Sequence, residues 1–129
     1  MEFYIKRTIT GNFETSLLNL TYALDQEGFG VLTEINVTEI FQEKLGKEFQ
    51  RYLILGACNP EFAYKALQLE EMVGTLLPCN VVIQEKIHGQ VEIAAIDPVA
   101  MMSNVNNPHL LEFAEEIKTR LQNVLDNCD

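Results

Sequence analysis

The chain has 129 residues, 47% hydrophobic and 22% charged, the proportions of an ordinary globular domain whose core needs no metal or disulfide to hold it. Nine Lys and Arg against nineteen Asp and Glu leave a formal charge of −10. The basic residues are scattered singly, which argues against nucleic acid, bound through counterion release, and against docking on an anionic membrane surface.

Residues 1–129 read as a single domain with no linker, repeat or low-complexity stretch. The first residues, MEFYIKRTIT, alternate apolar and polar side chains, the period of a strand with one wet face. They lack the apolar centre of a secretory signal, and no apolar run reaches the roughly 20 residues of a membrane helix. Three cysteines, an odd number, fit reduced thiols in the cytoplasm.

Asn12 is placed to cap a helix carrying the stripe Phe13, Leu17, Leu20 and Leu24, stopped at Gly28. FGVLTEINV predicts a second strand, with Val31, Thr33 and Ile35 on one face and Leu32 and Glu34 on the other. Asn36 and Glu39 resemble a capping box for a short helix ending at Gly46. RYLILGACN is apolar on both faces, as an interior strand would be, and Asn59-Pro60 starts the next helix.

VGTLLP is expected to be extended. CNVVIQEKI and QVEIAAID form a hairpin with a turn at His88-Gly89, and Asp97-Pro98 opens a brief helical turn. Asn107-Pro108 starts the longest helix, striped by Leu110, Ala114, Ile117, Leu121, Val124 and Cys128. The order β-α-β-α-β-α-β-β-α predicts an α+β two-layer sandwich: a mixed or largely antiparallel five-stranded sheet with helices on one face.

The segments GFGVLTEINV, FQEKLG, YLILGACNPEFAYKAL, LLPCNVVI and AIDP together resemble a family catalogued as domain of unknown function 302. The resemblance runs from about Phe29 to the final helix. That family consists of small, mostly bacterial and archaeal proteins with no established activity. It implies a two-layer α+β fold and a homodimer, and it supplies no catalytic residues.

The residues themselves point to the junctions holding Cys58-Asn59 and Cys79-Asn80. Cys58 precedes a helix N-terminus, where backbone N–H groups favour a thiolate, and strand-to-helix junctions collect pockets. If VGTLLP climbs back along the sheet, Cys79 comes to the same end. A ligand pocket would then be lined by Cys58, Asn59, Cys79 and Asn80. The plain alternative is two core thiols, with Asn59 serving only as a cap.

Glu34 and Asp97 are the carboxylate candidates for ligand binding. Glu34 is expected to face solvent or a partner, and Asp97 to cap the turn at Pro98. Lys65 is expected on the surface and Tyr64 partly buried; His88 and His109 are expected to be solvated.

These readings favour a non-catalytic cytoplasmic domain that binds or senses a small molecule as a homodimer. Two others stand beside it: a thiol-dependent enzyme or redox protein using Cys58, and a soft-metal or haem-handling protein recruiting Cys58, Cys79, Met101, Met102 or His109. No paired-Cys, HExxH, P-loop or dinucleotide spacing occurs, so no catalytic residue is assigned and no metal or cofactor is expected.

Overall fold

The structure, a computed structural model, describes residues 2–87 and 89–129. Strand β1 (Tyr4–Thr10) leads into helix α1 (Phe13–Gln26), then β2 (Gly30–Asn36), α2 (Val37–Leu45) and β3 (Tyr52–Cys58). Helix α3 (Pro60–Leu69) and a 3-10 turn (Glu71–Leu76) precede the hairpin of β4 (Cys79–Glu85) and β5 (Gln90–Ile96). Helices α4 (Pro98–Met102) and α5 (Pro108–Asp126) complete the chain. The five strands form one sheet in the order β1-β5-β4-β3-β2, and every neighbouring pair is antiparallel.

The helix starts follow from their caps. Asn12, Asn36 and Asn59 each accept from the backbone N–H three residues on, and Asn107 accepts from His109 and Leu110. Pro occupies the first turn of α3, α4 and α5, where its missing N–H costs nothing. Gly28 has φ +84° and closes α1 as expected.

One face of the sheet is covered. Leu53, Leu55, Cys79, Val81, Ile83, Val91, Ile93 and Ala95 point to it and are buried under α1, α3 and α5. The five stripe residues within α5, Leu110, Ala114, Ile117, Leu121 and Val124, are all buried there, as is Cys128 just beyond the helix end. At about 1.5–3 kcal/mol for each fully buried large side chain, this helix is a large contributor to the core.

Three local expectations are corrected. VGTLLP is not extended: Glu71–Leu76 winds into a 3-10 turn packed back along α3. A 3-10 turn still rises about 2 Å per residue, so the chain regains the end of β3 and Cys79 pairs with Ala57. Val31, Thr33 and Ile35 do not share a face. A bulge between Val31 and Thr33 sets Val31 opposite Ala57 on the core side, but Thr33 and Ile35 opposite Gly56 and Ile54 on the other.

Tyr64, expected to be partly buried, is 68% exposed on the outer side of α3. Lys65 is exposed beside it, close enough to pair with Glu61 at 3.1 Å. The expected turn at His88-Gly89 involves His88, which lies outside the described residues. Among those residues no helix is long and apolar enough to cross a membrane.

Candidate functional site

At one end of the sheet the chain leaves β3 and enters α3 within two residues. Cys58 ends the strand, half-exposed, and Asn59 caps the helix, with its Oδ1 accepting from Phe62 N at 3.2 Å. After the 3-10 turn, β4 starts with Cys79 paired beside Ala57. Between these elements lies a pocket of about 260 Å³. Leu32, Ala57, Phe62, Leu67, Leu77 and Pro78 supply most of its wall, and Cys58, Asn59 and Cys79 line it as well. No charged side chain lines it.

The two thiols differ. Burial pushes the Cys79 thiol up to about 11, and the charge of nearby Cys58 adds to the effect. Cys79 is therefore a neutral, 3% exposed thiol at neutral pH, and Cys58 is the one that solvent can reach. Both are free, as is buried Cys128, whose thiol is also raised, first by burial.

The remaining candidates lie elsewhere. Asn80 follows Cys79 by one residue and so points to the opposite face of β4, where it lines a shallow hollow instead of the cysteine pocket. Glu34 pairs in register with Leu55 but is exposed on the edge strand β2.

Asp97 is buried, but as a structural group. Its Oδ1 accepts from Val99 N at 2.9 Å and Ala100 N at 3.3 Å, and its Oδ2 sits 2.8 Å from Lys118 Nζ. Burial would raise this carboxyl; Lys118 and the two amides outweigh that and hold it below the ordinary carboxylate range.

Met101 lines a separate hollow, Met102 is buried in the core, and His109 is exposed in the first turn of α5. None of the three joins the wall of the cysteine pocket. Among the described residues, no group of three or more His, Cys, Asp or Glu is gathered as a metal-ion site.

Two features escape a linear reading. Leu32 enters the pocket because the β2 bulge turns it out of alternation. Gly56 is needed because a Cβ there would run into Thr33 Oγ1 and come within 3.0 Å of Pro78 Cγ. The glycine was visible in GACNP, but its neighbour across the sheet was not.

The sequence pattern of the family described as Domain of unknown function DUF302 matches residues 5–128. The chain belongs to this family. The crystal structure of an uncharacterised conserved DUF302 protein from Bacillus stearothermophilus shares 35% identity with it, covers 100% of both chains and superposes with a TM-score of 0.92. No curated protein matches the chain. The two-layer α+β architecture is thus that of a solved DUF302 relative.

Proposed function

We propose that this DUF302 protein is a non-catalytic domain that binds or senses a small apolar molecule in the pocket between β3, α3 and the 3-10 turn. The observation that carries this reading is a charge-free, mostly apolar wall broken only by two thiols and a capping amide. A site for nucleotides or other polyanions would present basic groups or open helix amides. This one offers hydrocarbon and soft sulfur, which suits a compact apolar ligand. The protein acts in the cytoplasm, where its three free thiols stay reduced, and it works as a homodimer.

The test pairs native mass spectrometry of freshly purified protein with thermal shifts for small aromatic and aliphatic probes. Ala63→Phe, which fills the pocket from α3, is the control. A mass adduct or a probe that raises Tm in the wild type and not in Ala63→Phe supports the reading. No adduct, together with probes that shift both proteins equally, removes it.

A second reading is favoured by one contrast: Cys58 is half-exposed while Cys79 and Cys128 are buried. Cys58 would then act as a nucleophile on whatever occupies the pocket. Rapid, single-site alkylation of Cys58 near neutral pH supports this. Labelling only on unfolding excludes it.

A further inference from the structure

We infer that the bare face of the sheet is where two copies of this chain pair. This rests on the homodimer reading above and names its surface. Helices α1, α3 and α5 cover one face only. On the other, Tyr4, Tyr52, Ile54, Val82, Ala94 and Ile96 stand side by side across β1, β5, β4 and β3, each half-buried, with Phe49 leaning on Tyr52 at one end. A continuous apolar surface of this kind on a soluble domain marks an interface.

Charge selects the occupant. The chain carries −10, yet the strand residues on this face include just two charges, Lys6 and Glu92, which pair with each other at 3.7 Å. Glu92 also accepts from Gln84, which in turn accepts from Gln50. The two charges of the face thus pair with each other, and its net charge is zero. A basic partner would be drawn to the acidic remainder of the surface. A second copy, itself at −10, meets least repulsion where both contribute a neutral face.

Shape agrees. A hollow of about 340 Å³, bounded by Phe3, Tyr4, Tyr52, Val82, Ala94 and Ile96, runs across this face from β1 to β3. At its Tyr52 end stands an aromatic ridge, where Phe41 meets Phe49 edge-on and Phe49 leans on Tyr52. A ridge and a hollow on one face are the self-complementary pair that a two-fold axis requires. Aligned packing of two twisted sheets then closes both at once.

Sedimentation of the full chain against concentration and salt, with Val82→Asp and Ala94→Arg, tests this. The wild type should be dimeric and hold or tighten in 0.5 M salt, roughly the regime where the repulsion of remote charges is screened. Each substitution, repeated twice in an isologous interface, should weaken pairing by about 100-fold or more. If either variant misfolds, hydroxyl-radical footprinting of the wild type above and below its dissociation point decides. Tyr4 and Tyr52 should be protected in the dimer, and Tyr22 and Tyr64, 67% and 68% exposed, should not change.

A dimer that survives both substitutions, or that protects Tyr22 or Tyr64 in place of Tyr4 and Tyr52, overturns the surface and leaves the homodimer standing. A monomer at every concentration overturns both.

Discussion

Replacing Asp97 by Asn keeps the shape of the cap on α4 and removes its charge. Asn caps as well as Asp, so Val99 N and Ala100 N retain an acceptor. What disappears is the attraction to Lys118 Nζ, 2.8 Å away, whose own side chain is 42% exposed and therefore partly screened. We expect a loss of about 1 kcal/mol at pH 7, and about 2–3 kcal/mol for Asp97→Ala, which also abolishes the cap.

At this chain length the Ala variant should melt roughly 6–12 °C lower. The pH dependence has a definite sign. The folded carboxyl lies below its unfolded value of about 3.9, so the unfolded state binds the proton more tightly. The stability that ionised Asp97 adds is present above that value and lost as pH falls through the folded-state pKa. Urea melts of wild type and Asp97→Asn from pH 7 to pH 2 should show a gap that closes in acid. A gap of equal size at both ends, or none at pH 7, would refute the role given to Lys118.

Gly56→Ala should destabilise by about 1–3 kcal/mol, because its Cβ meets Thr33, and Thr33→Ala should recover most of that in the double variant; chemical denaturation of the four proteins closes the cycle. Arg7 donates to the carbonyls of Leu125 and Asp126 at 2.7 and 2.9 Å and pairs with Asp129, so Arg7→Ala should cost about 1 kcal/mol and speed amide exchange in the last turn of α5. Buried Cys79 holds its proton up to about pH 11, so the wild type should lose about 2–3 kcal/mol relative to Cys79→Ala between pH 9 and 11, with no such loss below pH 9. Equal slopes for the two proteins in alkali would show that Cys79 ionises as freely when folded as when unfolded.

The elements that could be read in the chain are those fixed by local rules. Five Asn or Asp caps start helices where the sequence places them, three of them before a proline. The expected stripe is buried at every position, although its last residue, Cys128, lies past the end of α5 at Asp126. Local rules fail at VGTLLP, where glycine and proline suggested an extended segment. The chain instead winds back along α3, because that buries Val73 to 1% exposure.

The same limit split the candidate site. Cys58, Asn59 and Cys79 meet because β4 starts where β3 ends, a matter of sheet register that no dipeptide encodes. Asn80 was grouped with them by adjacency, and strand alternation sends it to the opposite face. The repeated Cys-Asn pair therefore serves two surfaces: one Asn caps a helix beside the pocket, and the other lines the hollow on the bare face.

Those two surfaces are joined by the β2 bulge and the turn at Leu77-Pro78. One step along β2 separates Leu32, in the pocket wall, from Thr33, which covers Gly56 on the bare face. Pro78 touches both: it lines the pocket and would lie 3.0 Å from a Cβ at Gly56. A ligand that moved Leu32 or Pro78 would shift Thr33 against a position with no room for even a methyl group. Leu32, Thr33 and Pro78 thus form one packed path between the pocket wall and the sheet face. Such close packing transmits displacement because it has no slack to absorb it. If the pocket senses a ligand and the sheet face pairs, both as proposed above, this path joins the two without a moving helix.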